Sequence, residues 1–412
     1  MIESPVPRLV VTTRHIDSPD DLLAATDPAA PLVWMRRGDA LIGVGVPVVV
    51  LSEKGSDRAA RLAERWRELA AAATIDDTVG VVGSGLVAFG ALAFDDRSTL
   101  PSTLTVPQAI IGRRGTDTWL TTIGTAGPPP SIPWGPYWSA TLGPGTLDPA
   151  GYQAAVSAGL EAIAAGQVGK VVLARDLVGS APAGADLRRL ARELHDAYPD
   201  TWTYAVDGII GASPETLVTV SHGTVTARVL AGTIARGADT DSDNAAAIAL
   251  RTSAKDQDEH GFAVRSLLSA LEPHTAALVA GEEPFTLKLP NVWHLATDVE
   301  GSLSDAASSL DLVGAVHPTA AVAGTPTRTA MDLIAQLEPS DRGRYAGPVG
   351  WIDADGDGEW AIALRCVQVA TNEDGSFALT AHAGAGIVAE SDPEKEMLET
   401  RVKFRPIVEA LA

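Results

Sequence analysis

From Tyr152 onward the apolar positions of the chain switch between a helical repeat and a two-residue alternation. Tyr152 to Gly166, Leu187 to Tyr198, Leu310 to Val316 and Arg328 to Leu337 read as helices, and Asn244 to Leu271 reads as one long helix. Lys170 to Val178, Thr203 to Val206 and Leu217 to Val220 read as strands, and Val349 to Val369 as a hairpin. The first third is less regular. Short β-branched runs, Leu9 to Thr13 and Val48 to Leu51, accompany an Ala-rich amphipathic helix from Asp57 to about Thr74. Between the two parts lies Gly124 to Tyr152, dense in Pro and Gly, which serves either as a linker or as a crossover between halves of a sheet. A hairpin cannot belong to a purely parallel sheet, so the class is α/β or α+β with antiparallel character.

Composition narrows the function. The 412 residues include 31 basic and 52 acidic ones, a net charge of −21, and no Lys/Arg cluster offsets it. Such a chain repels phosphate backbones, so no nucleic-acid partner is expected. The single cysteine, Cys366, excludes a disulfide framework and a multi-Cys metal site. The first residues lack the basic and apolar regions of a secretory signal. The most apolar run, Leu41 to Leu51, is too short to span a bilayer. A cytoplasmic protein with no membrane partner is the expectation.

Several short stretches carry candidate chemistry. Asp353 to Glu359, DADGDGE, starts like a calcium-binding loop, but its twelfth position is Leu364 where a bidentate Glu is required, so a hairpin turn is the better reading. In the strand that follows, alternation places Arg365 on one face with Ala361, Ala363 and Val367. That arginine either pairs with an internal carboxylate or grips a ligand carboxylate in the space the alanines leave. Lys170 opens its strand, either as a lysine snorkelling from the strand end or as a desolvated general base. Ser213-Pro214-Glu215 is either helix-cap chemistry or a carboxyl held on a rigid turn as a general acid. Asp256 and Glu259 are three apart on a helix, as are Glu396 and Glu399. Each pair is a solvated face or half of an oxygen-ligand site for Mg²⁺. The stretch from Gly384 to Val388, stripped of large polar side chains, runs directly into this second acidic segment.

Taken in order, KVVLAR, SPETLV, LAGTIARG, KDQDEH, VWHLATDVEG, HPTAAVAG, GDGEWAIALRC and AGAGIVAESDPEKEMLET resemble the chorismate-utilising enzymes. That family includes isochorismate synthase, salicylate synthase, anthranilate synthase component I and aminodeoxychorismate synthase. The resemblance covers Tyr152 to the C-terminus. It implies one large domain like that of anthranilate synthase component I, with two β-sheets sandwiched between helices. Residues 1–148 then form part of the same fold and 149–412 the chorismate-binding catalytic region, which makes the Pro/Gly-rich stretch a crossover. It also implies roles. Glu259, Glu396, Glu399 and Asp256 match the Mg²⁺-site acids, Asp256 standing where many members have Glu. Gly384, Ala385 and Gly386 match backbone that approaches the ring carboxylate, and Arg365 and Lys403 match carboxylate-binding positions. His294 lies in the active-site HLA segment, and Gly232 and Thr233 line the same cleft. Lys170 matches the general base of the water-utilising members and Glu215 the general acid.

The residue types suit a dianionic substrate, one carboxylate meeting Mg²⁺ and the other Arg365. Lys170 would deprotonate water attacking ring C2, and Glu215 would protonate the departing C4 hydroxyl. Amine-forming members carry Gln in place of this lysine, so no glutaminase subunit is expected and the chain is taken as a monomer. Salicylate-forming members read HLGS where this chain has His294-Leu295-Ala296-Thr297, which favours released isochorismate. The pathway expected is siderophore or menaquinone synthesis. The alternatives are a salicylate synthase and a non-catalytic chorismate-binding protein.

Overall fold

The structure, a computed structural model, describes residues 7–125, 127, 131–290 and 292–412. The first third supplies β1 (Val10–His15), β2 (Leu32–Arg36), β3 (Asp39–Glu53), α1 (Arg58–Ala72), β4 (Thr74–Asp77), β5 (Val87–Ala91), β6 (Ser102–Arg114) and β7 (Asp117–Ile123). Next come β8 (Gly143–Pro144), α2 (Pro149–Ala164), β9 (Lys170–Ala181), α3 (Arg188–Ala197), β10 (Trp202–Val206), β11 (Ile209–Ser213), β12 (Thr216–Ser221) and β13 (Thr224–Ala235). They are followed by α4 (Thr240–Thr252), α5 (Ala254–Leu271), β14 (Thr275–Ala280), β15 (Phe285–Lys288), β16 (Val292–Leu303), α6 (Ser309–Val316), β17 (Gly324–Thr325) and α7 (Thr327–Leu337). The chain closes with β18 (Pro348–Asp353), β19 (Gly358–Ile362), β20 (Cys366–Thr371), β21 (Phe377–Ile387) and α8 (Pro393–Ala410).

The two expected sheets are the two arms of one hydrogen-bonded sheet, which holds 21 strands among the described residues. One arm runs β4-β1-β7-β6-β3-β2-β10-β11-β20-β21-β9. The other runs β6-β5-β18-β19-β12-β13-β16, with β14 and β15 on the far edge of β16. Every pairing is antiparallel except β1 with β4. The long strand β6 belongs to both arms, and its register against β3 shifts on either side of Pro47, the kind of irregularity that bends a ladder. The larger apolar core draws Trp34 and Tyr204 from one arm and Phe89, Trp351 and Trp360 from the other, so the first third is built into the same core as the rest.

Three sequence expectations change. The long helix splits into α4 and α5 at Ser253, whose backbone is extended (φ −71°, ψ 115°) and whose hydroxyl caps α5 by accepting from the Asp256 N–H. The strand expected to run through Arg365 ends at Ile362, and β20 starts afresh at Cys366 in the other arm. Ser213-Pro214-Glu215 caps no helix; it joins β11 to β12, and the Ser213 hydroxyl accepts from the Glu215 N–H at 3.2 Å. The Pro/Gly-rich stretch, of which residues 126 and 128–130 lie outside the described set, packs as a crossover. Trp134 stacks under the guanidiniums of Arg188 and Arg192, and the Trp138 indole donates to the Asp186 carbonyl. DADGDGE is a turn between β18 and β19, and the Asp353 carboxylate accepts from the N–H groups of Gly83, Asp355 and Asp357. No helix among the described residues is long and apolar enough to cross a membrane.

Candidate active site

The chain passes between the two arms at two neighbouring places, and each crossing carries a candidate site residue. Pro214-Glu215 links β11 to β12, while Ala363-Leu364-Arg365 links β19 to β20. The crossings are bonded to each other's strands: Ile362 N–H donates to the Glu215 carbonyl at 3.2 Å and Ala212 N–H to the Arg365 carbonyl at 3.1 Å. Arg365 adopts a left-handed backbone (φ 50°), which strand alternation could not foresee and which costs a non-glycine residue energy. Opposite it, β13 bulges at Gly232 (φ 80°), where its register against β16 shifts. The bulge brings Gly232 against Asp256 of α5 and sets Thr233 opposite His294.

His294 is buried and bridges these parts. Its Nε2 lies 3.4 Å from an Arg365 Nη, which can only donate, so Nε2 accepts and the ring proton sits on Nδ1. Nδ1 then donates to the Thr233 hydroxyl at 2.9 Å. Burial, with Arg365 and Lys403 nearby, holds the imidazole well below its usual pKa and therefore neutral.

Lys170, the first residue of β9, is wholly inaccessible, so it does not snorkel. Its Nζ lies 3.3 Å from Glu259 Oε1, and no acceptor among the described residues takes a directed hydrogen bond from the ammonium. Glu215 is 5% exposed. Burial pushes its pKa up to about 8, against the opposing pull of Lys170, a hydrogen bond from the Leu230 backbone, Arg365 and Lys403. At neutral pH it is a carboxylic acid. Glu259 goes the other way: burial raises it, but Lys170, Lys255 and Lys403 together hold it below the ordinary range.

The two acid pairs project from α5 and α8. Burial raises Asp256, with Glu259 and Glu399 adding to the effect, and burial followed by the charge of Glu399 raises Glu396. Lysines neutralise three of the four: Lys170 meets Glu259, Lys255 meets Glu396 at 2.9 Å and Lys403 meets Glu399 at 2.6 Å. Among the described residues no three of these acids converge into a preformed ligand cluster. The donor set nonetheless fits Mg²⁺, since every candidate ligand is a carboxylate oxygen and the acids raise one another's pKa through charge that a divalent cation would relieve.

These groups surround a cleft. Glu215, Gly232, Thr233, Glu259, His294, Arg365, Gly384, Ala385, Gly386 and Lys403 line it; Lys170, Asp256, Glu396 and Glu399 are not part of that lining. The glycines have different reasons to be glycine. A Cβ at Gly384 would strike the Leu173 carbonyl of β9, so that position serves strand pairing, although its own carbonyl accepts from Lys403 at 2.9 Å. A Cβ at Gly386 would collide with Glu259 Oε1 and Lys170 Cε. Gly386→Ala is therefore expected to force that pair apart and lower kcat by about 10–100-fold with the melting temperature little changed. Steady-state kinetics alongside a thermal melt checks this, and an unchanged kcat would refute it.

Sequence reasoning missed Arg342 and Tyr345, which also line the cleft. Tyr345 stacks on His382 at 5.1 Å between ring centroids and packs near Arg342. Both missed residues sit in DRGRYAG, a Gly-interrupted turn holding two arginines and one aromatic, which was the available signal.

Comparison with known proteins places the chain in a family. The family model described as chorismate binding enzyme matches residues 139–412. MenF of Mycobacterium tuberculosis, named provisionally as an isochorismate synthase, is 40% identical over 343 residues, 80% of this chain and 87% of that protein. Isochorismate synthase DhbC of Bacillus subtilis is 38% identical over 276 residues, covering 64% and 68% of the two chains. A crystal structure from Bacillus anthracis, described provisionally as a 2,3-dihydroxybenzoate-specific isochorismate synthase, superposes with a TM-score of 0.78 at 31% identity, over 95% of this chain and 98% of that one. With the matched region spanning α2 to α8 and every motif of the cleft inside it, the chain belongs to the chorismate-binding enzymes.

Proposed function

We propose that the protein is an isochorismate synthase, converting chorismate to isochorismate. The observation that carries this reading is a cleft lined by Glu215, a buried carboxyl raised to about 8, and by a half-buried arginine, with the fully buried Lys170 paired to Glu259 of the same lining. A non-catalytic binder has no use for both an acid and a base. The names of the relatives point the same way.

In this reading Arg365 and Lys403 hold substrate carboxylate, and neutral His294 fixes the Arg365 guanidinium from the side. Lys170 removes a proton from the water that adds to ring C2. Glu215 gives its proton to the C4 hydroxyl, which departs as water while the ring double bond shifts. One water enters and one leaves, so the reaction is an isomerisation. Asp256, Glu259, Glu396 and Glu399 would hold Mg²⁺, which when bound neutralises carboxylate charge on the substrate. For the metal to bind, Lys255 and Lys403 must yield their carboxylates. The proposal includes a cytoplasmic monomer without a glutaminase subunit, supplying siderophore or menaquinone synthesis.

The test is to incubate the protein with chorismate and Mg²⁺, with and without chelator, and to separate the products by chromatography. Isochorismate is the expected early product, lost on chelation. Salicylate with pyruvate as the main early product would replace this reading, and absence of Mg²⁺-dependent turnover would favour a binding protein.

A further inference from the structure

Strand β9, which begins with Lys170, has β21 along one edge from Val171 to Ala181. Its other edge is interrupted. β17 covers Lys170 and Val171, β8 covers Leu177 and Val178, and among the described residues no strand lies beside those between them. Side chains fill that gap. Glu338 Oε1 accepts from the Ala174 N–H at 2.8 Å, and an Arg342 Nη donates to the Val172 carbonyl at 2.8 Å. Arg342 also donates to the Val322 carbonyl at 3.0 Å, in the turn whose Ala323 carbonyl takes the Val172 N–H. Glu338 and Arg342 hold each other bidentately and are almost wholly buried, at 6% and 2%. Although Arg342 lines the cleft, four of its hydrogen-bonding contacts go to protein oxygens, so its guanidinium is committed and is not offered to an anion.

We propose that Glu338 and Arg342 are positioning residues that act as a surrogate strand, holding the Lys170 end of β9 and the Val322 wall of the cleft in register. An isolated buried ion pair is a poor source of stability, because desolvation offsets its attraction. Here its donors and acceptors replace ladder bonds that β9 lacks two to four residues from Lys170, and they tie that strand to a second wall of the site. The part that concerns Lys170 as a base rests on the isochorismate synthase reading; the placement of Lys170 does not.

Glu338→Gln and Arg342→Lys test this while keeping side-chain volume. Three readouts apply to each full-length variant. Amide hydrogen exchange of the peptide covering 171–175 should accelerate about tenfold while peptides from β1 and β7 are unchanged. Lys170, shielded in the native protein, should become labelled in a brief pulse of acetic anhydride, read by mass spectrometry. With chorismate, kcat should fall by about 10–100-fold and KM by less than about threefold either way, since Arg365 and Lys403 are untouched. Unchanged local exchange and labelling would overturn the proposal. So would uniformly faster exchange across all strands, which marks a merely structural pair. If the native protein makes no isochorismate, the functional reading fails, and exchange and labelling still decide whether the pair places Lys170.

Discussion

Lys170→Ala should lower kcat for isochorismate formation by roughly 10³-fold, within the range of removing a positioned general base. KM should move little, because no substrate anchor is altered. The fold should survive. Lys170 is fully buried, but its partner Glu259 keeps two other ammonium groups, Lys255 and Lys403, that lower its pKa. Removing one cation beside Glu259 leaves Mg²⁺ affinity equal or tighter, which titration calorimetry on the variant would measure. Turnover at the native rate would show that the base lies elsewhere, whereas loss of both turnover and Mg²⁺ binding would mean Lys170 holds the acids in place.

Glu215→Gln should be about as severe, 10²–10⁴-fold in kcat, since the amide keeps the shape and the contact with the Leu230 N–H but has no proton to give. The same residue fixes a pH limb. Burial raises the carboxyl to about 8, so it stays protonated and competent through neutral pH. As pH rises through about 8 it ionises, and kcat of the native enzyme should fall tenfold per unit beyond that point. In the Gln variant the residual rate should lack this alkaline fall. A native profile flat to pH 9.5 would remove Glu215 from the acid's role.

The chemistry of the site was more legible in the sequence than its geometry. Lys170, Glu215, Arg365 and the two acid pairs stood out because burying such groups demands a reason, and their spacing located them on strand, turn and helix. What periodicity could not convey was where the chain changes arm. Arg365 seemed to sit on a strand face with Ala361 and Ala363, yet a left-handed residue ends that alternation. Ser253 broke the long helix because its hydroxyl caps the second half, a contest between cap and helix interior that a repeat of apolar residues does not register. The lysines facing Glu396 and Glu399 differ in the same way: Lys403 is one turn from Glu399, whereas Lys255 reaches Glu396 from another helix. The first third was opaque because its work is backbone pairing and core, as when β2 pairs β10 and β5 pairs β18.

The paired crossings also bear on how such a site can diverge. Glu215 and Arg365 are held by main-chain bonds from Ile362 and Ala212, so the spacing between acid and anchor acts as a ruler that no single side-chain change resets. Val172, Ala321, Val322 and Leu364 line the same cleft. Substitution there can alter which product fits while the ruler is inherited intact, which leaves new specificities open to gradual change and keeps the span of the substrate conserved.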